Sequence, residues 1–180
     1  MDFIEVVAYQ TGWRDQFVAI ASDLRQSLGE SALRIDHVGS TSVDGLAAKP
    51  IIDIQISVHQ LHTMEQYQSA LERIGYRYRS DNDDLSKRYF REKSGNTRTH
   101  IHVREAGSWS EQLNLLFRDY LRQHPEACKK YEEVKYDLAE RYRNDREAYV
   151  RGKEEVVWMI LRQAHAWSMQ VGWKPEASDV

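Results

Sequence analysis

Arg34-Ile-Asp-His-Val-Gly-Ser-Thr-Ser-Val-Asp-Gly-Leu-Ala-Ala-Lys-Pro-Ile-Ile-Asp-Ile-Gln-Ile-Ser57 is the stretch on which the fold turns. Its two apolar runs, residues 33–38 and 51–58, are rich in β-branched side chains and bounded by turn chemistry, so both are expected as strands. The loop between them opens with Gly39-Ser40-Thr41-Ser42 and carries Lys49 at its far end. A glycine that admits backbone N–H groups, a run of hydroxyls and a cation are the parts of a phosphate cradle. On the second strand Asp53 and Gln55 are two apart and share a face. A carboxylate facing a phosphate loop points to metal-assisted phosphoryl chemistry.

Working outward, the amino-terminal segment from Phe3 to Tyr9 reads as a short strand or arm. After Thr11, Trp13, Phe17, Ile20, Leu24 and Leu28 recur at helical spacing up to Gly29, which predicts a helix packed on the sheet. Thr63-Met-Glu-Gln66 has the form of a capping box and opens a second helix that ends before Gly75. Three further strands are expected at residues 76–79, 87–93 and 97–104, separated by turn-like connectors. From Ser108-Trp-Ser-Glu111, another capping box, the chain becomes helical. Pro125 suits the first turn of the next helix, a last helix is expected from about Asp145, and residues 172–180 read as a frayed tail.

The expected fold is α+β: a mixed β-sheet with packed helices and a C-terminal helical subdomain. One domain spans residues 1–171, with its sheet part at about 1–106 and its helical part at about 107–171. The 180 residues suffice for one core, burying roughly 70% of the unfolded surface. A formal charge of −3 gives no basic footprint for duplex nucleic acid, so none is expected as a partner. The lone cysteine, Cys128, excludes an internal disulfide framework. The start of the chain lacks the plan of a signal peptide and no run is long enough for a membrane span, so a cytoplasmic protein with no membrane association is expected.

Asp53 interrupts an apolar run and must be paired, hydrogen-bonded or coordinated. His100 and His102 are two apart in an expected strand and therefore share a face. If that strand neighbours the Asp53 strand, an Asp53–His100–His102 metal cluster results, whose imidazoles favour zinc, manganese, iron or nickel over magnesium. Arg88, Arg91, Arg98 and Arg104 are expected on strands near these histidines, and one or two of them are candidates to clamp a phosphate bidentately. Arg118, Lys135 and Lys153 lie on helices that could close over the same pocket, and His37 lies within plausible reach of it.

The motif stretch resembles the polymerase-beta-like nucleotidyltransferase superfamily, which pairs a Gly-Ser after one strand with two acids, two positions apart, on the next. Here Gly39-Ser40 precedes Asp53, and Gln55 stands where the second acid belongs. More closely the chain resembles the GrpB family. The resemblance rests on His37-Val-Gly-Ser-Thr-Ser-Val43, Gly45-Leu-Ala-Ala-Lys-Pro-Ile-Ile-Asp-Ile54, Gly75-Tyr76, His100-Ile-His-Val103 and Phe117-Arg-Asp-Tyr-Leu-Arg122 followed by His124-Pro125-Glu126. It implies a sheet of nucleotidyltransferase type and metal-assisted nucleotidyl or phosphoryl transfer from a nucleoside triphosphate, with Asp53 catalytic and Gly39, Ser40, Thr41, Ser42, Lys49 and Arg88 holding phosphates. The partner would be a nucleotide or another phosphorylated small molecule, and the cofactor a divalent metal: Mg, Mn or Zn. Gln55 keeps two alternatives open, a non-catalytic nucleotide- or phosphate-binding module and a metal-dependent phosphoester hydrolase.

Overall fold

The computed structural model describes residues 3–180. A mixed sheet is built from β1 (Arg34–Val38), β2 (Ile52–Val58), β3 (Tyr76–Tyr78), β4 (Arg88–Glu92) and β5 (Thr99–Glu105). The strands lie in the order β1-β2-β5-β4-β3, with β2 and β5 parallel and the remaining pairs antiparallel. The helices are α1 (Gly12–Leu28), α2 (Gln68–Arg73), α3 (Trp109–Gln123), α4 (Pro125–Arg141), α5 (Arg146–Gly152) and α6 (Glu154–Val171).

Alternation along the strands gives the sheet two unlike faces. Ile35, Ile52, Ile54, Ile56, Phe90, Ile101 and Val103 form a core with Trp13, Phe17, Ala21, Leu24 and Leu28 of α1 and Leu71 of α2. The other face carries Asp36, Gln55, Ser57 and Arg104, all buried, together with Asp53, His100 and His102. Buried polar groups must be paired, and α3 supplies much of the pairing. Ser57 Oγ donates to Glu111 Oε1 at 2.5 Å, Gln55 Nε2 to the Glu111 carbonyl at 3.2 Å, and Asn114 Nδ2 to Gln55 Oε1 at 2.9 Å. Asp36 receives Arg34 Nε at 3.0 Å and Arg34 Nη2 at 2.8 Å, with Arg118 Nη1 at 3.5 Å. A second apolar cluster, including Val43, Leu116, Tyr120, Tyr131, Val156 and Ile160, joins the helices to the loop after β1. No helix among the described residues is long and apolar enough to cross a membrane.

Several local expectations change. Residues 3–9 form no strand, only a bridge between Val7 and Ala48. The 63–66 box does not form: Thr63 Oγ1 donates back to the Gln60 carbonyl, a short 3-10 turn covers Met64–Gln66, and α2 starts at Gln68. At the second box Ser108 Oγ does accept from Glu111 N at 3.3 Å, but the Glu111 carboxylate goes to Gly107 N and Ser57 because a buried sheet hydroxyl competes for it. The last helix is two, broken at Gly152–Lys153, where a Cβ on Gly152 would lie 2.5 Å from Leu138 Cδ2.

The largest correction concerns residues 172–180, which do not fray. Ile35 N donates to Ser178 Oγ and His37 N to Asp179 Oδ2, each at 2.8 Å, and Trp173 Nε1 donates to Asp119 Oδ2 at 3.0 Å. The physical reason is that β1 is an edge strand, and its outward N–H groups need acceptors. Polar side chains meet that need without apolar periodicity, so the segment looks unstructured in sequence. Asp179 also accepts from Arg118 Nη1 at 3.1 Å. Asp179→Ala is therefore expected to cost about 1–3 kcal/mol of stability through the unpaired arginine and strand N–H. Urea denaturation reads this directly, and an unchanged midpoint would show that Asp179 contributes nothing to the edge.

Candidate functional site

The in-register parallel pairing of β2 with β5 sets Asp53 beside His100 and Gln55 beside His102. Asp53 Oδ1 lies 3.2 Å from His100 Nδ1 and 3.3 Å from His102 Nε2. One donor atom from each of the three residues lies within 4.8 Å of the others. Gly39, with φ +71°, brings the loop down onto this carboxylate, and a Cβ there would sit 2.7 Å from Asp53 Oδ2. Glycine is required at that close approach.

Burial alone would raise the Asp53 carboxyl, but hydrogen bonds from His100 and His102 outweigh it and hold the group well below the usual carboxylate range. Burial pushes the His102 imidazole down against the pull of Asp53. An ionised carboxylate and neutral imidazole are the forms that coordinate a divalent cation. The donor set thus fits such an ion, with coordination positions left for substrate or water. Nε2 of His100 and Nδ1 of His102, facing away from Asp53, are buried with no hydrogen-bond partner. Histidines unbraced by an acceptor hold a metal more weakly, by a factor of about 10–100. Gln55 adds no charge: both ends of its amide are committed to α3.

Across Gly39 from this cluster lies a cavity of about 230 Å³ lined by Ser40, Lys49, Lys135, Arg146 and Lys153, with Asp53 as the one carboxylate among its lining residues. Lys135 Nζ donates to Ser40 Oγ at 3.1 Å and to the Ala47 carbonyl, and rests over the Tyr131 ring. Lys49 and Lys153 both lie over the ring of Tyr149, 5.2 and 4.7 Å from its centre. Burial, then repulsion from Lys153, pushes Lys135 down to about 7; burial, then Lys49, pushes Lys153 down to about 8. Ammonium groups crowded in this way favour an anion between them. A second cavity, about 460 Å³, opens from Asp53, Gly39, Tyr131 and Lys153 and is lined by Leu113, Phe117, Val157, Trp158 and Leu161.

Gly39, Ser40, Lys49, Asp53, His100 and His102 therefore come together, as do Lys135 and Lys153. Thr41 also lines the lysine cavity, but the hydroxyls of Thr41 and Ser42 are engaged within the loop. Thr41 Oγ1 donates to the Ile51 carbonyl at 3.2 Å and Ser42 Oγ to the Gly39 carbonyl at 2.6 Å, so both shape the loop instead. Arg88 is on the wrong face. It pairs with Val103, while Tyr89 and Arg91 pair with His102 and His100, and alternation turns Arg88 away from Asp53. Its guanidinium donates to the carbonyls of Leu85 and Lys87. His37 stacks on Phe17 on the α1 side of the sheet, where burial pushes it down to about 4. Arg118 is tied to Asp36, Asp119 and Asp179 outside the cleft.

Sequence reasoning missed Tyr89, which stacks on His102 with ring centres 5.3 Å apart, and Tyr149 and Arg146 in the lysine cavity. The strand alternation that removes Arg88 keeps Arg91 and would have selected Tyr89.

A family model described as GrpB protein matches residues 3–163. The UPF0157 protein PA4798 of Pseudomonas aeruginosa is 42% identical over 168 residues, covering 92% of this chain and 69% of that protein. The crystal structure of conserved protein GrpB from Enterococcus faecalis matches at a TM-score of 0.82 and 34% identity, over 91% of this chain and 99% of that one. Cid1, solved in complex with its short product ApU, matches at a TM-score of 0.53 and 13% identity, over 76% of this chain and 43% of that one. The last likeness shows a shared fold alone.

Two outcomes follow from this geometry. Gln55→Glu should not restore a second metal position. It replaces the amide donor to the Glu111 carbonyl with a buried acceptor and should cost about 1–3 kcal/mol, seen as a lowered urea midpoint with unchanged metal stoichiometry. The lysine pair makes stability pH-dependent. With Lys135 near 7 and Lys153 near 8 in the folded protein against about 10.4 unfolded, the unfolded chain binds more protons between those values, so stability rises from pH 7 towards pH 10. Lys135→Met should flatten that rise; an equally steep profile would contradict the assignment.

Proposed function

This chain belongs to the GrpB family, and from that membership and the site geometry we propose that it transfers a nucleotidyl group from a nucleoside triphosphate to an acceptor. The observation that carries the reading is the Asp53–His100–His102 cluster facing three lysines across the Gly39–Ser40 turn. Asp53, His100 and His102 would hold a divalent cation, which supplies Lewis-acid polarisation of a phosphate oxygen. Ser40, Lys49, Lys135 and Lys153 bind the terminal phosphates and neutralise charge on the departing pyrophosphate. The apolar cleft along Leu113, Phe117 and Trp158 receives the nucleoside. In the transfer, an acceptor hydroxyl oxygen bonds to the α-phosphorus as the bond to the bridging oxygen of pyrophosphate breaks. The hydroxyl proton leaves to solvent.

One observation favours a second reading, a phosphate-binding module without catalysis. Gln55 is neutral and fixed, so the cluster offers one carboxylate where two-metal transfer uses several.

Calorimetric titration of ATP and the other nucleoside triphosphates into metal-stripped protein, with magnesium, manganese or zinc added in turn, separates the readings. The transfer reading expects metal-dependent binding weakened at least about tenfold by Asp53→Ala. Binding indifferent to metal and to that substitution would support the module instead. An anion raises the pKa of nearby lysines, so binding at pH 8 should take up protons through Lys135 and Lys153. Buffers of different ionisation enthalpy measure this, and zero uptake would place the phosphates elsewhere.

A further inference from the structure

The lysine cavity contains a side-chain pair that phosphate binding alone does not require. Thr41 and Ser42 engage their hydroxyls inside the loop, whereas Ser40 lines the cavity with its Oγ 3.1 Å from Lys135 Nζ. Tyr131 completes the group: burial pushes its hydroxyl up to about 12, with a hydrogen bond to Ser40 opposing the rise. Lys135 is only 2% exposed and is held by the Ala47 carbonyl and the Tyr131 ring.

The charged groups around Lys135 come from several elements. Lys153 pushes it down after burial, and Glu132 and Cys128 of its own helix pull it up, leaving it at about 7. Lys49, Arg146 and Asp53 line the same cavity. The Asp53 carboxylate acts on Lys49 and Lys153, raising both against their burial. At pH 8 Lys135 is therefore largely an amine. One N–H goes to the Ala47 carbonyl, and the lone pair of that amine is left to face the Ser40 hydroxyl. A hydroxyl beside a base of this kind is an activated nucleophile. The transfer reading seats terminal phosphates here, so the electrophile next to Ser40 is the terminal phosphorus.

We propose that Ser40 is a self-phosphorylation site, its hydroxyl oxygen taking the terminal phosphoryl group of a bound nucleoside triphosphate while the Lys135 amine takes the hydroxyl proton. The bond from Ser40 Oγ to phosphorus forms as the bond from that phosphorus to the bridging oxygen breaks. A nucleoside diphosphate leaves with the electron pair. The Lys135 ammonium then pairs with the phosphate on Ser40. The inference rests on the phosphate seat of the transfer reading and adds a regulation to it: a phosphate on Ser40 fills the place that the next triphosphate needs.

In the test, the full chain is incubated with ATP and manganese, and separately with acetyl phosphate, and peptide mass spectrometry locates the phosphate. One phosphoryl group is expected on Ser40, and none on the Ser40→Ala chain. At saturating ATP, Lys135→Met and Lys135→Arg should each label at least about tenfold more slowly. Neither side chain accepts the proton, although arginine keeps the charge. Bound phosphates raise Lys135, so wild-type labelling should quicken with pH across the alkaline range. The isolated phosphorylated chain should bind ATP at least about tenfold more weakly. The proposal is overturned if ATP binds without labelling Ser40, if Lys135→Arg labels at the wild-type rate, if pH leaves the rate unchanged, or if phosphorylation leaves ATP affinity unchanged. Should ATP itself fail to bind, the transfer reading falls alone and acetyl phosphate decides. Label on Ser40 that is lost in Lys135→Met sustains the nucleophile, and absence of label overturns it.

Discussion

The structure depends on a sheet whose inner face is polar and nevertheless covered. Asp36, Gln55 and Ser57 are fully buried, and a packed helical layer over them is stable only when each finds a partner. Glu111, Asn114 and Arg118 of α3 provide those partners. The position of α3 is therefore set by directional bonds and not by apolar contact alone. Asp53 and the two histidines lie where this cover stops. Asp53 and His102 remain partly open while His100 is buried, and the cleft forms at that margin.

The same margin concentrates charge. Lys49, Lys135 and Lys153 are held by tyrosine rings and carbonyls, not by carboxylates. That arrangement costs stability, because ammonium groups are removed from water without opposite charges to compensate. It leaves Asp53 as the one carboxylate among the described residues that line this cavity, beside three lysines and Arg146. The glycine at position 39 sets the spacing between the two halves of the site, since any side chain would separate the loop from Asp53.

Much of this was legible in the sequence where periodicity governs. The β2 and β5 runs, the shared face of Asp53 and Gln55 and that of His100 and His102 follow from alternation, and the pairing of the two strands brings these residues together. Legibility failed where a short segment answers to its neighbours. Residues 172–180 lack apolar periodicity because they meet a strand edge with side-chain oxygens. Thr41 and Ser42 look like ligands by type, yet a tight turn uses hydroxyls internally first. Arg88 looks like a clamp by charge, while its place in the strand points it to the other face.

Arg118 shows why helix residues resist assignment from type alone. It lies one helical turn before Arg122, so the two share a face of α3, and that face meets β1 and its loop instead of the open cleft. Arg118 Nη1 bonds the His37 carbonyl at 3.2 Å, and Arg122 Nε bonds the Ser42 carbonyl at 3.1 Å. The two arginines thereby grip the loop after β1 on either side of Gly39-Ser40-Thr41. The tail enters the same network through Asp179, which joins Arg118 and the His37 amide. The conformation that lets Gly39 rest on Asp53 is therefore held from behind by groups that never touch the cleft. Such fixed backing is what a site needs if its donors are to meet developing charge without rearrangement.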